Sequence, residues 1–292
     1  MQCKLGRPSF PRRALGTRFL PITKSVPKEL LPILDRPMLQ YVVEEAAEAG
    51  IEEVIIVTAR GKESIAAYFQ PRPELEARLA DTGATDLLKM VKYVSGLADV
   101  SFVIQDEPLG LGHAVLTAKE KVGEEPFVVI LPDDIVDHQP GVIAQMLEVA
   151  NRHEAATVAV EQVPWEIVHN YGVVDVEPTV NSGTHLVRHL VEKPERSEAP
   201  SNLSIVGRYI LPPQIFQCLE HTPPGAKGEI QLTDGIQLLL ERQDVYAYEF
   251  HGTRYDGGTP LGLLRASLEF GLAREDMADS VRALLDSLQP NN

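Results

Sequence analysis

Three short stretches carry side chains suited to phosphate, metal and sugar chemistry. Gly16-Thr17-Arg18 offers a tight backbone turn, a hydroxyl and a fixed-charge guanidinium fork, the parts needed to wrap phosphate oxygens. Lys24 and Lys28 stand four residues apart, a spacing that aims both the same way if the segment winds, although Pro27 between them favours an extended or turned backbone. No GxxxxGKS or GxxxxGKT string occurs, so this is not a Walker P-loop. Asp133 and Asp134 end the apolar run Phe127 to Leu131, where a carboxylate is well placed for a metal. Glu192-Lys193-Pro194 ends a second run; the carboxylate can accept hydrogen bonds from sugar hydroxyls and the ammonium can bind a phosphate. Pro194 keeps Lys193 out of the helical region, which predicts an extended chain end with the two neighbours projecting to opposite sides. Each stretch also has an ordinary reading: a solvated basic amino terminus, an Asp that starts a turn or caps a helix, and a surface ion pair.

The elements that must position these residues alternate between helix and strand. Met38, Tyr41, Val42 and Ala46 recur at helical spacing after Pro37, and Gly50 closes that helix. Val54 to Val57 is a short all-apolar run, read as a buried parallel strand, and the alternation sets an α/β class. A short helix is expected over Glu63 to Phe69, then a helical excursion past Pro71 and Pro73 through Leu79 and Leu87 to Met90. Strands follow at Ser101 to Gln105, Phe127 to Leu131, Ala156 to Gln162, Ser204 to Leu211 and Val245 to Phe250, with a strand pair from Asn170 to Asp175 and His185 to Val191. Between Gln105 and the helix that begins at Ala114 lies a glycine-rich turn, Leu109-Gly-Leu-Gly-His113, which lets backbone approach a ligand at a helix amino end. A helix through Leu240 follows Gly228. The tail from Leu261 is mostly helical, and its stripe of Leu284, Leu285 and Leu288 fits a core or a subunit contact, so a homo-oligomer is expected.

Charge narrows the ligand class. The 292-residue chain carries 27 Lys and Arg against 42 Asp and Glu, yet residues 1–28 hold seven of the bases and no acid. A cationic spot on a strongly anionic body suits a small polyanion such as a nucleoside triphosphate and argues against nucleic acid. Two cysteines, Cys3 and Cys218, make no framework of pairs, which suggests a reducing cytoplasm. No apolar run nears 18 residues, so no membrane partner is expected.

Taken in order, LGTRFLPITKSVPKELLP (from Leu15), LGLGHAV (from Leu109), LPDD (from Leu131), NYGVVD (from Asn170), EKP (from Glu192), SNLSIVGRYIL (from Ser201), PPGAKGEIQLTD (from Pro223) and YDGG (from Tyr255) resemble the bacterial-type UTP:glucose-1-phosphate uridylyltransferases among the sugar nucleotidyltransferases. The resemblance runs from about Phe10 to about Gly271. It implies a Rossmann-like α/β fold with a mixed central sheet flanked by helices, a sugar-binding subregion and carboxyl-terminal helices, in one nucleotidyltransferase domain over 1–292. The core is expected over about 7–260 and the helical segment over about 261–292. The implied reaction joins UTP and glucose 1-phosphate into UDP-glucose and pyrophosphate. The resemblance assigns Ala14, Leu15, Gly16 and Thr17 to the nucleotide, with Gln105, Gly110 and Pro132 around the uracil. It makes Arg18, Lys28 and Lys193 the catalytic cations, Gly172, Glu192 and Lys193 the sugar and sugar-phosphate site, and Asp133 the Mg²⁺ ligand with Asp256 as a further one. His113 is expected to be structural. The alternatives are a thymidylyltransferase for a sugar 1-phosphate and a catalytically impaired UDP-sugar-binding homologue.

The second alternative rests on residues 7–14. Where the family has an apolar strand and then a small-residue turn, Phe-Pro-x-Ala-Gly-Leu-Gly-Thr-Arg, this chain has Phe10-Pro-Arg-Arg-Ala-Leu-Gly-Thr-Arg18. Ala14 stands where a glycine belongs, at a cost of roughly 1 to 2 kcal/mol if the site needs positive φ. Lys4 to Ser9 lacks the apolar run of a central buried strand, and Pro8 and Pro11 each remove a ladder donor.

Overall fold

The computed structural model describes residues 2–5, 17–177, 183–225 and 228–288. Thirteen strands are described: β1 (Gln2–Leu5), β2 (Pro32–Ile33), β3 (Arg36–Pro37), β4 (Glu53–Thr58), β5 (Asp99–Ile104), β6 (Phe127–Ile130), β7 (Asp134–Asp137), β8 (Ala156–Gln162), β9 (Gly172–Val176), β10 (Thr184–Glu192), β11 (Leu203–Leu211), β12 (Val245–Glu249) and β13 (Thr253–Asp256). The helices are α1 (Met38–Glu48), α2 (Glu63–Phe69), α3 (Pro73–Asp81), α4 (Thr85–Ser95), α5 (Leu111–Thr117), α6 (Lys119–Val122), α7 (Val142–His153), α8 (Ile215–His221), α9 (Leu232–Leu240), α10 (Pro260–Ala273) and α11 (Ala278–Leu288).

Nine strands form one mixed sheet in the order β5-β4-β1-β6-β11-β8-β12-β10-β9. The β5-β4-β1-β6 half is parallel, β11 runs antiparallel to both β6 and β8, and β10 pairs antiparallel with β12 and β9. From β1 the chain builds β4 and β5 on one side and then crosses back to β6 on the other. That reversal opens a crevice at the strands' carboxyl ends, the place where ligands bind in open α/β sheets.

One expectation is corrected here. The interval Lys4 to Ser9 lacks a long apolar run, yet a central strand is present: β1 spans four residues, ends at Leu5 before Pro8, and pairs with β4 on one edge and β6 on the other. So short a strand leaves little pattern for sequence to reveal, because its ladder is completed by the flanking runs.

Both faces of the sheet are covered. Along β4, Ile55 and Val57 face one apolar layer while Val54 and Ile56 face the other; β6 divides its four residues the same way. The first layer is closed by α5, α8 and α9, the second by α1, α2 and α7. Fully burying one such side chain is worth about 1.5 to 3 kcal/mol, so the strand ends that carry the polar residues are anchored on both sides. The run expected to form one helix from Ala114 to Val122 is split into α5, which begins earlier at Leu111, and α6.

The two small sheets shape the crevice. β7 and β13 pair antiparallel, setting Asp134 opposite Asp256, and β2 pairs with β3 just before α1. At the carboxyl end, Leu284 and Leu288 of α11 are solvent-exposed, as are Leu261 and Leu264 of α10, so the apolar stripe is not core.

Candidate active site

Short segments and strand ends bring the polar residues into one cavity of about 370 Å³. Lys28 begins a 3₁₀ turn, Lys28–Leu30, whose preceding residue Pro27 is extended at φ −54°, ψ 136°. That extended step separates the two lysines: Lys24 is exposed outside the cavity, whereas Lys28 is 6% exposed and lines it. The adjacent Glu29 is itself buried and accepts a 3.0 Å bond from Lys62, which fixes the turn from behind.

The Lys28 ammonium lies 2.5 Å from Asp133 Oδ2. Burial alone would raise the Asp133 pKa, but the Lys28 charge and hydrogen bond outweigh it and hold the carboxyl below its usual range. Asp133 is therefore ionised at neutral pH. Asp256, at the end of β13, accepts a 2.9 Å bond from Gly258 N, while burial and then the Asp134 carboxylate raise its pKa. A methyl placed on Gly258 would lie 2.9 Å from Asp256 Oδ1, 3.2 Å from Asp133 Oδ2 and 3.8 Å from Arg18 Nη1, so two carboxylates and a guanidinium abut one point. Arg18 also donates to Gly258 O at 3.3 Å.

This donor set fits Mg²⁺. No group of three or more His, Cys, Asp or Glu among the described residues could hold a metal alone, and Mg²⁺ takes one or two carboxylates with substrate phosphate oxygens and water. The Asp256 pKa is raised by burial first and by the neighbouring Asp134 carboxylate second.

The opposite wall is built by β9 and β10, whose register sets Gly172 across from Glu192. A Cβ at Gly172 would sit 2.7 Å from Thr233 Oγ1 and 3.3 Å from Glu192 Oε2, so only glycine leaves this space open. Thr233, in the first turn of α9, donates to Glu192 Oε2 at 2.7 Å. Lys193 corrects a second expectation. It adopts φ +48°, in the left-handed region, and its ammonium pairs with Glu192 Oε1 instead of pointing away. Pro194 does exclude the right-handed helix, but the backbone bond from Lys193 N to Tyr171 O at 2.9 Å turns the residue inward.

Asp134, the second carboxylate after the Phe127 to Leu131 run, lines the cavity too, as do Arg254 and Tyr171, for which the sequence suggested no role. Arg254 Nη2 lies 2.5 Å from Asp134 Oδ1 and its guanidinium stacks 5.2 Å over the Tyr171 ring, linking the strand β7 that carries Asp134 to the residue before Gly172. Burial opposes the Arg254 charge, yet the Asp134 carboxylate keeps its pKa raised. The one available signal was its position two residues before Asp256. Thr233 lay inside the EIQLTD string without a role of its own.

Of the remaining expected residues, Thr17 is exposed and lines the cavity. Gln105 and Gly110 sit together beyond β5, joined by a 3.3 Å bond, but they do not line this cavity. Pro132 faces a separate small void beside Glu29 and Thr58. Ala14, Leu15 and Gly16, like Arg12 and Arg13, lie outside the described residues.

Among the described lining residues there is no His, Cys or Ser, and the charged lining consists of Lys and Arg cations and Asp and Glu carboxylates. Such a set can align two phosphates and stabilise a leaving phosphate group.

The chain matches the family described as Nucleotidyl transferase over residues 15–271. It is 46% identical to the UTP–glucose-1-phosphate uridylyltransferase of Bacillus subtilis (strain 168), over 98% of this chain and 97% of that protein. A UTP-bound UGPase from Acinetobacter baumannii superposes with a TM-score of 0.89 at 42% identity, covering 99% of this chain and 100% of that one. A UDP-glucose pyrophosphorylase complexed with UDP-glucose superposes at 0.82 with 41% identity, over 94% of this chain and 100% of the other.

Proposed function

The chain belongs to the nucleotidyl transferase family, among its UTP–glucose-1-phosphate uridylyltransferases, and from that premise we propose how its residues divide the work of making UDP-glucose and pyrophosphate from UTP and glucose 1-phosphate. The observation that carries the assignment is the meeting of Lys28, Asp133, Asp256, Glu192 and Lys193 in one cavity with Gly172 leaving room beside Glu192.

Glucose 1-phosphate has a second phosphate pKa of about 6 and is largely a dianion at pH 7. Its phosphate oxygen bonds to the α-phosphorus of UTP as the bond from that phosphorus to the bridging oxygen breaks, and pyrophosphate leaves with the electron pair. A dianion can attack without a general base. Glu192, oriented by Thr233, accepts from glucose hydroxyls, and Lys193 leaves its pairing with Glu192 to hold the sugar phosphate. Thr17, Arg18 and Lys28 hold the triphosphate, together with Ala14, Leu15 and Gly16, while Gln105, Gly110 and Pro132 frame the uracil. Asp133 and Asp256 would hold Mg²⁺, which when bound neutralises charge gathering on the departing pyrophosphate.

We further propose one catalytic unit over residues 1–292, with its core over about 7–260 and the helical segment of about 261–292 completing it. The exposed leucines of α10 and α11 support a homo-oligomer. No helix among the described residues is long and apolar enough to cross a membrane, and we place the protein in the cytoplasm with no nucleic-acid partner.

The test is pyrophosphate release from UTP and glucose 1-phosphate. Asp133→Asn should lower kcat by about 100-fold or more, and Lys193→Ala should raise the KM for glucose 1-phosphate by about 10- to 100-fold. Full activity in either variant defeats the assignment. Calorimetric binding of UDP-glucose without pyrophosphate release by the unmodified chain would favour the impaired homologue, and faster turnover with dTTP than with UTP would favour the thymidylyl reading.

A further inference from the structure

The Gln105 side chain is held at one end only. It is 6% exposed, and its amide nitrogen donates to Gly110 O at 3.3 Å and meets His113 Nδ1 at 2.8 Å. An amide nitrogen can only donate, so His113 Nδ1 accepts, and the proton of the neutral ring sits on Nε2. Both amide hydrogens are thereby engaged, whereas Oε1 takes no hydrogen bond from a described residue.

Turning the amide over would aim Oε1 at the Gly110 carbonyl, which can only accept, and would move the His113 proton to Nδ1 to keep that contact. That arrangement loses the bond to Gly110 and sets two carbonyl dipoles together. The ring is itself fixed, because α5, which carries His113, is tied at its start: Gly112 N donates to Ile230 O at 2.9 Å and Ile230 N to Leu109 O at 2.7 Å. Burial lowers the His113 pKa, against the pull of the Glu107 carboxylate, so the imidazole is neutral at pH 7 and keeps its Nδ1 lone pair.

Resting on the reading that Gln105 meets the base, we infer that His113 is a positioning residue that holds the Gln105 carbonyl towards the base. There it accepts from the imide N3–H of uracil and faces the N3 lone pair of cytosine unfavourably. His113 thus acts through Gln105 to select imide-bearing pyrimidine triphosphates over CTP.

The experiment compares kcat/KM for UTP and CTP in the unmodified enzyme and in Gln105→Ala, His113→Asn and His113→Leu, with thermal unfolding of each. Asn places an oxygen acceptor near the Nδ1 position, so His113→Asn should keep the UTP-to-CTP ratio within about threefold. His113→Leu should lower that ratio about tenfold or more, chiefly through the KM for UTP. Where His113→Leu does not fold, His113→Ala serves the same comparison. An unchanged ratio in Gln105→Ala overturns the base-side reading itself. Loss in Gln105→Ala with none in His113→Leu, or equal losses in His113→Asn and His113→Leu, overturns the role of His113 alone.

Discussion

Removing the Glu45 carboxylate should unsettle the molecule more than any surface change. Arg208, in the middle of β11, is 1% exposed, and Glu45 of α1 is 9% exposed. Arg208 Nη2 lies 2.7 Å from Glu45 Oε2, and its only other polar neighbours are Glu45 Oε1 and Leu131 O, each at 3.5 Å, among the described residues. In Glu45→Ala the guanidinium keeps one long contact to a carbonyl and borders the cavity of about 140 Å³ that it lines with Glu45. An uncompensated buried charge costs about 3 to 5 kcal/mol. Ile143 N, which donates to Glu45 Oε1 at 3.1 Å at the start of α7, loses its side-chain partner for about 1 kcal/mol more. The total corresponds to a fall in Tm of roughly 6 to 10 °C for a chain of this size. Urea unfolding of the single variant, followed by fluorescence and circular dichroism, reads the loss directly. The double variant Glu45→Leu, Arg208→Met removes both charges and should recover most of it, since an apolar pair of similar volume is often neutral. A single variant within about 1 kcal/mol of the parent, or a double variant as unstable as the single, would refute the reasoning.

Two further outcomes follow from local geometry. Gly207 has φ +53°, and a Cβ there would lie 2.7 Å from Asp134 Oδ2, whereas Gly123 at φ +67° would meet nothing within 4 Å. Gly123, at ψ −141°, lies near a region almost confined to glycine, so Gly123→Ala should cost about 1 to 3 kcal/mol of backbone strain, and Gly207→Ala about 1 to 3 kcal/mol more, measured by thermal unfolding of the pair; equal losses would remove the steric argument. The pKa of Asp234 in α9 is raised by burial, against the lowering effect of Lys193. Its ionised form is penalised in the folded state, so the associated stability is present below the unfolded carboxyl pKa and is lost as pH rises through the folded one. Asp234→Asn should accordingly gain stability relative to the parent at pH 7 and lose that advantage near pH 3.5; a pH-independent difference would contradict the assignment.

Local features were legible in the sequence. α2 and β8 have the expected ends because apolar periodicity and flanking breakers act within a few residues. Asp133 and Glu192 were identifiable for a similar reason, standing at the boundaries of apolar runs, and Lys28 stood out through its spacing from Lys24 in an acid-free segment. The sequence reading gave no element to Val142–His153, which forms α7, and none to the β7 and β13 pair. That pair joins residues 253–256 to residues 134–137, a relation that no local pattern encodes. The Gly172 and Glu192 register, the inward turn of Lys193 and the bridging place of Arg254 likewise depend on neighbours distant along the chain. Aligned side chains within a run can be read; which runs meet, and at what offset, is decided by packing.

The β7 and β13 ribbon makes carboxylate spacing a matter of counting. Side chains along an extended strand alternate sides, so an insertion or deletion that slipped one ribbon strand by a single residue would present Tyr255 or Gly257 opposite Asp134 and turn Asp256 away. Length is therefore the quantity this corner of the molecule tolerates least: a one-residue error there would displace the carboxylate proposed as a cation ligand while leaving the great sheet behind it intact.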